Sequence, residues 1–143
     1  MLATLSTTKL AHVDGGARGN PGPAGYGVVI ENAQHHPIAE LSEYLGFQTN
    51  NFAEYNGMLA ALRYCIEHDH RALEVIADSE LMVKQMNGQY KVRAPQLLDL
   101  YQEARKLVRQ LEWFRIRHVR RAHNTRADKL ANQAMDRGRS SAG

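Results

Sequence analysis

The sequence predicts an α/β domain whose elements follow the order βββ-α-β-α-α-β-α. Short apolar or alternating segments are typical of strands. Longer segments with apolar residues at intervals of three and four are typical of amphipathic helices. The chain of 143 residues is long enough for one domain with a sizeable core.

Three strands are predicted near the start of the chain. The apolar run 10–13 ends at Asp14, and the stretch GGARGNPGPAG that follows predicts a turn-rich loop rather than a strand. Segments 26–30 and 38–45 are predicted as the next two strands, separated by the turn-like ENAQHHP. Because short connections join these strands, we expect an antiparallel meander.

A helix and a fourth strand are predicted next. The helix begins after a capping asparagine, either Asn50 or Asn51. The short apolar strand 73–77 then leads directly to Asp78. The apolar face of the helix recurs at intervals of three and four, at Phe52, Tyr55, Leu59, Leu62 and Ile66.

Three more helices and one strand complete the order. A second helix breaks at the Asn-Gly pair 87–88, and Pro95 suits the first turn of a third. Alternation over 114–118 predicts a half-buried strand. The final helix is predicted from near Asn124 to about Arg137, followed by a frayed polar tail.

Composition narrows the class of protein. The single cysteine, Cys65, excludes an internal disulfide framework and favours a reducing compartment. No apolar run is long enough to span a bilayer, and MLATLSTTKL lacks the features of a signal peptide, so we expect a cytoplasmic protein without a membrane partner. The net charge is only +3, although segment 114–126 carries five arginines. Charge alone does not distinguish a solvated basic edge from a nucleic-acid surface.

Four acidic residues occur at element ends, where carboxylates of a metal site could converge. Asp14 ends a strand, Glu54 lies early in a helix, Asp78 follows a strand and Asp128 begins the last helix. Metal-assisted phosphodiester hydrolysis needs such hard oxygen ligands. Each residue also has an ordinary explanation as a turn former, a helix cap or a partner of the helix dipole. Position alone leaves both interpretations open.

Four sequence motifs that include these acids or their neighbours follow one another along the chain. They are VDGGARGNPGPAGYG (13–27), TNNFAEYNGMLAAL (49–62), ADSELMVKQMNGQYKVRAP (77–95) and HVRRAHNTRADKLAN (118–132). Together they resemble ribonuclease HI over roughly 10–135, in a short bacterial or archaeal form without the basic protrusion. The resemblance implies a ribonuclease H-like fold, a five-stranded mixed sheet with its first three strands antiparallel, flanked by helices.

The resemblance also implies domain limits and an activity. The catalytic domain is expected over 10–137, with an N-terminal extension, 1–9, and a disordered polar tail, 138–143. The activity implied is endonucleolytic, two-metal-ion hydrolysis of the RNA strand of RNA–DNA hybrids, leaving 5′-phosphate and 3′-hydroxyl ends. The protein is expected to be a monomer, and its polar tail is compatible with a linker to a fused domain.

The site implied by the resemblance is an acidic quartet that binds Mg²⁺, with Mn²⁺ as a substitute. The central ligands would be Asp14 and Asp78. Glu54 would contact one metal and the 2′-hydroxyl region, and Asp128 the more exposed, weaker metal. By the same resemblance Asn20, Thr49, Asn50 and Asn51 would contact the hybrid. From the basic segment, Arg120 and Arg121 are also expected to contact it.

The sequence departs from the family pattern in three places. The segment before Asn124 is short, and we expect His123, rather than the strand residue His118, to assist turnover if a histidine does so. The loop NGQYKVRAP replaces a long basic protrusion, leaving few residues there for DNA contacts. Phe52 stands where a basic residue is common in the family.

Two other functions are alternatives to a ribonuclease H activity. A binding module that has lost turnover would be favoured by a missing carboxylate, but the quartet is complete. A different nuclease or an integrase could share this fold. The TNN-x-x-E spacing and the DGG-x-x-GNPGP loop argue against that alternative.

Overall fold

The structure is a computed structural model that describes residues 7–142 and the side chains of residues 7–138. Most of the predicted extension 1–9 therefore lies outside the described residues. The chain follows the predicted order of strands and helices, with a short 3₁₀ turn before the last helix. The elements are β1 (Lys9–Ala17), β2 (Gly22–Glu31), β3 (Pro37–Gln48), α1 (Asn50–Glu67), β4 (Ala72–Ala77), α2 (Glu80–Met86), α3 (Pro95–Val108), β5 (Trp113–His118), the 3₁₀ turn (Arg121–His123) and α4 (Thr125–Ala142).

The five strands form one mixed sheet in the order β3-β2-β1-β4-β5. The pairs β1–β2 and β2–β3 are antiparallel, whereas β1–β4 and β4–β5 are parallel. The predicted fold, including the antiparallel arrangement of the first three strands, is confirmed. The parallel pairing of β1 with β4 brings the carboxyl ends of these two central strands to the same edge of the sheet.

Helices cover both faces of the sheet. On one face α1 packs against β1 and β2 and is itself covered by α3, and on the other face α4 packs against β1, β2 and β3. The main apolar core lies between the sheet and α1, around Tyr55, Leu59 and Leu62. Among residues 7–142, no helix combines the length and apolar character needed to cross a bilayer.

The predicted glycine-rich loop is mostly strand, and this prediction was wrong. Strand β1 continues through Gly15 to Ala17, β2 begins at Gly22, and only residues 18–21 form the turn. A Cβ at Gly15 would lie 2.5 Å from the backbone nitrogen of Glu54, and one at Gly27 would overlap the backbone of α4. The glycines therefore let helices approach the strands closely, which local sequence patterns do not reveal.

The last helix is longer than predicted. It begins at Thr125, after the 3₁₀ turn, and continues past Arg137 to Ala142. Gly138 packs directly on the ring of Tyr44, and Arg137 donates a hydrogen bond to Ser42 Oγ at 2.8 Å. These contacts hold the helix against β3 at residues 137 and 138. Residues 138–142 are helical where the sequence predicts a disordered tail, and Gly143 lies outside the described residues.

Candidate active site

All four predicted carboxylates converge at one edge of the sheet. Val13 pairs with Ala77 in the parallel register of β1 and β4, so Asp14 and Asp78 follow as neighbours on adjacent strands. Asp14 is paired with Gly27, beside α4. Helix α4 supplies Asp128 from its first turn, and α1 supplies Glu54. We call this group, Asp14, Glu54, Asp78 and Asp128, the carboxylate cleft.

Asp14 lies at the centre of the cleft and is 4% exposed. Burial, the negative charge of Asp78 and contact with Asp128 together raise the pKa of Asp14 to about 8. A carboxyl group surrounded by other carboxyl groups favours its neutral form unless a cation joins it. This electrostatic frustration is typical of functional sites rather than of structural carboxylates.

Glu54 approaches Asp78 from the side of α1. The pKa of Glu54 is raised to about 7 in total, mainly by burial and also by the charge of Asp78. A hydrogen bond with Ser79 and the charge of Arg121 act in the opposite direction. Glu54 is therefore the second carboxyl group in the cleft that resists ionisation without an added cation.

Asp78 joins the other acids, since both Asp14 and Glu54 sense its charge. Its side chain is 7% exposed, and Oδ2 is buried without a hydrogen-bond partner in the described part of the chain. The nearest cation is Arg121, whose Nε is 3.8 Å from Oδ2. The competing interpretation as a helix cap is wrong, because Ser79 Oγ accepts the hydrogen bond from Met82 N that caps α2.

The donor chemistry of the cleft fits Mg²⁺ or Mn²⁺. Every acidic donor is a hard carboxylate oxygen, and the buried Asp78 Oδ2 lacks a partner. Among the described residues, no three His, Cys, Asp or Glu side chains close on a single ion. Mg²⁺ usually takes one or two carboxylates and completes its shell with water and phosphate oxygens.

Comparisons with known proteins agree with this geometry. The family described as reverse transcriptase-like matches residues 12–134. The bifunctional protein Rv2228c of Mycobacterium tuberculosis is 47% identical over 130 residues, covering 90% of this chain. Its N-terminal RNase H domain has been solved as a fusion with maltose binding protein and superposes with a TM-score of 0.91 at 44% identity, over 95% of this chain and 99% of that one.

This chain belongs to the ribonuclease H family. RNase H1 from Halobacterium salinarum superposes with a TM-score of 0.87 at 39% identity, over 90% of this chain and 98% of that one. LC11-RNase H1, solved in complex with an RNA/DNA hybrid, gives 0.85 at 39% identity, over 91% and 98%. The chain spans 36% of the length of the Mycobacterium protein Rv2228c.

Beside the cleft of this ribonuclease H family member, three polar residues accept hydrogen bonds from backbone N–H groups through their side-chain oxygens. Asn50 Oδ1 accepts from Ala17 N at 2.6 Å, and Asn20 Oδ1 accepts from Asn50 N at 3.0 Å. Thr49, rather than Asn50 or Asn51, caps α1 by accepting from Phe52 N at 3.1 Å. With the amide oxygens fixed in this way, the Nδ2 donors of Asn20 and Asn50 are oriented away from those contacts.

The structure places the two predicted arginines and the predicted histidine differently. Arg121 lines the carboxylate cleft, whereas Arg120 is exposed and does not line it. His123 lines a separate pocket with His12 and Glu31, so the structure does not bring it together with the carboxylates. The 3₁₀ turn directs Arg121 and His123 to different pockets. Residue spacing does not predict the shape of this turn.

Asn124 is a site residue that sequence reasoning treated only as the start of a helix. It is 2% exposed, and Nδ2 donates to the backbone oxygen of Val13 at 2.8 Å. Its own backbone oxygen accepts from Asp128 N at 3.1 Å. Asn124 therefore holds the strand position next to Asp14 against the helix turn that carries Asp128. Its place four residues before Asp128 in a polar motif was the signal available in the sequence.

Proposed function

We propose that this chain is an endonuclease that hydrolyses the RNA strand of RNA–DNA hybrids with two divalent metal ions. The convergence of four carboxylates with two raised pKa values carries this proposal. Membership of the ribonuclease H family and the hybrid complex of LC11-RNase H1 support the substrate class. The products would be 5′-phosphate and 3′-hydroxyl ends.

Each carboxylate has a distinct part in this proposal. Mg²⁺ or Mn²⁺, when bound, supplies an activated water and stabilises the leaving oxygen. Asp14 and Asp78, adjacent at the sheet edge, would hold the metal ions between them. Glu54 would bind one ion and face the ribose 2′-hydroxyl, and Asp128 on α4 would hold the more exposed ion. Both acids with raised pKa values would then be ionised by their cations.

The polar residues beside the cleft would orient the hybrid. The Nδ2 groups of Asn20 and Asn50 can donate to phosphate oxygens or to a 2′-hydroxyl, the group that distinguishes RNA from DNA. Thr49 and Asn51 flank them at the start of α1 and extend the same surface. Arg121, in the cleft, would contact a phosphate, and we assign Arg120 a weaker, peripheral contact.

The proposal also includes the cellular compartment and the oligomeric state in which the domain acts. The buried free thiol of Cys65 suits a reducing cytoplasm. We propose that the domain acts as a monomer without a membrane partner. Since the chain spans 36% of Rv2228c, a fused or partner domain in the whole protein is part of the same proposal.

The test is a cleavage assay with labelled RNA–DNA hybrid, double-stranded RNA, single-stranded RNA and double-stranded DNA, each with Mg²⁺, Mn²⁺ or EDTA. We expect metal-dependent cutting of the RNA strand of the hybrid alone. Asp78→Asn should abolish cutting, whereas Asp99→Asn, an exposed acid on α3, should leave it intact. Hybrid binding without cutting by the unmodified protein would instead identify a binding module.

A further inference from the structure

Phe47 is the most exposed large apolar side chain in the described part of the chain. Its ring is 70% exposed, compared with 40% for Ile38 at the other end of the same strand. It lies opposite Pro23, near the end of edge strand β3 and two residues before Thr49. Folding gains little from an apolar side chain left in water, so its position invites a functional explanation.

A β-bulge presents this ring at the surface. Gly25 pairs with Tyr44 and Ala24 with Gly46, which leaves Leu45 as an extra residue in β3. Before the bulge, Leu41 packs against the main core. An extra residue reverses the alternation of side chains that follows it. Phe47 therefore no longer shares the core-facing side of Leu41.

Phe47 lies near the start of α1, which carries polar residues beside the carboxylate cleft. The hydrogen bond from Asn50 N to Asn20 Oδ1 ties the β1–β2 turn to the start of α1, immediately after β3. The ends of β3 and β1 lie at the same edge of the sheet, with β2 between them. Phe47 lies two strand spacings, about 10 Å, from β1 and level with Arg18, four residues beyond Asp14, so it is roughly 16 Å from Asp14.

We propose that Phe47 is a specificity-determining residue that packs on a deoxyribose of the uncut DNA strand. The inference rests on the proposed function. An A-like duplex presents a wide, shallow minor groove lined by sugars. With the RNA strand at the carboxylates, a ring roughly 16 Å from Asp14 faces the opposite strand across that groove.

The chemistry of the contact selects DNA in that strand. A phenyl ring over a deoxyribose covers the C2′ methylene, an apolar group. A 2′-hydroxyl at the same place would lose its water and find no hydrogen-bond partner on the ring. Phe47 thereby favours hybrids over double-stranded RNA, complementing the asparagines that would recognise the RNA strand.

The experiment scans the DNA strand with single ribonucleotides. Hybrids that carry one ribonucleotide at successive positions of the DNA strand are cut by the unmodified protein and by Phe47→Ala, Phe47→Asn and Ile38→Ala variants. We expect one position at which the ribonucleotide lowers kcat/KM about tenfold for the unmodified protein. Phe47→Ala should remove that penalty, as should Phe47→Asn, which can bond to the hydroxyl. Ile38→Ala should retain it, and thermal unfolding should verify that all four proteins are folded.

The outcomes separate the two proposals. If the unmodified protein does not cut the plain hybrid, the proposed function fails. If it cuts the plain hybrid but no position carries a penalty, or the penalty survives in Phe47→Ala, the inference about Phe47 is overturned while the function stands. A penalty lost in both Phe47 variants and kept in Ile38→Ala supports the inference.

Discussion

Two charged clusters lie on the same face of β1, and they are organised in opposite ways. In the carboxylate cleft acids face acids, and the pKa of Asp14 is raised to about 8. Two residues earlier, His12 belongs to a second group, His12, Glu31, His35 and Arg126, which we call the Glu31 cluster. Glu31 is 9% exposed, but His12 Nε2 is 2.8 Å, His35 Nδ1 3.5 Å and Arg126 Nη1 3.8 Å from its oxygens.

The difference shows that burial of a carboxylate does not by itself mark a functional site. Glu31 is surrounded by cationic or hydrogen-bonding groups of the chain itself, as a structural buried acid must be. Asp78 keeps a buried oxygen without a hydrogen-bond partner in the described residues, whereas Glu31 Oε1 lies 2.8 Å from His12 Nε2. The fold leaves one cluster in need of an external cation and neutralises the other.

The largest expected effect on the cleavage rate comes from substituting one acid in each cluster. Asp14→Asn removes the central acid of the cleft and should lower the rate of hybrid cleavage by roughly three orders of magnitude, because metal binding supplies several kcal/mol to such reactions. Glu31→Gln should change the rate less than about threefold, since that acid serves packing and charge balance. The measurement is single-turnover cleavage at saturating Mg²⁺. Similar losses in both variants would show that the two clusters do not differ in function.

Asn124 lies between the clusters and should give the next largest effect. Asn124→Ala leaves the buried oxygen of Val13 unpaired, which should cost about 1–3 kcal/mol of unfolding free energy. The variant loses the side-chain bond that joins the end of β1, next to Asp14, to the turn that carries Asp128. We therefore expect kcat to fall about tenfold or more, with little change in KM. Urea unfolding and steady-state cleavage measure the two effects. Thr125→Ala, at the exposed neighbouring position, is the control, and equal losses there would remove the positioning role.

The parts of this comparison that sequence could predict are local. Apolar periodicity predicts α1 and β4, and their order places Glu54 and Asp78 at element ends, so convergence of the acids was foreseeable once the motifs suggested the family. The function of Gly15 was not foreseeable, because the atoms that exclude a side chain there belong to residues 53 and 54 on α1.

The other differences between prediction and structure arise from contacts between residues that are far apart in the sequence. The bond from Asn124 to Val13 spans 111 positions of sequence, and no spacing rule connects them. His123 was a reasonable candidate for turnover by proximity in sequence to Asp128. The 3₁₀ turn (Arg121–His123) directs Arg121 to the carboxylate cleft and His123 to the pocket beside Glu31.

A smaller effect concerns stability and pH. The pKa of Asp14 in the folded protein, about 8, exceeds the ordinary value of 3.8 for an aspartate side chain. Between these values the unfolded chain has released a proton that the folded chain retains, so metal-free stability should fall as the pH rises from about 4 to about 8. Asp14→Asn should lack this contribution and be more stable than the unmodified protein at pH 8, by about 1–3 kcal/mol.

Urea unfolding in EDTA at pH 5 and pH 8 measures this difference. Glu54, with a pKa of about 7, contributes in the same direction and remains in both proteins. Adding Mg²⁺ at pH 8 should stabilise the unmodified protein more than the variant, since ligand binding favours the folded state. An advantage of Asp14→Asn that is as large at pH 5 as at pH 8 would contradict the assigned titration.

The smallest expected effect is on the salt dependence of hybrid binding, and it concerns two arginines at the boundary of the cleft. Arg121 lines it and approaches Asp78, whereas Arg120 does not line it. Arg121→Gln should lower the slope of log Kd for the hybrid against log salt concentration by about one phosphate contact, measured with Ca²⁺ to prevent cleavage. Arg120→Gln should lower it by less. If Arg120 gave the larger change, the hybrid would pass outside the cleft, on the exposed side of the 3₁₀ turn, and the carboxylates would not face its cut strand.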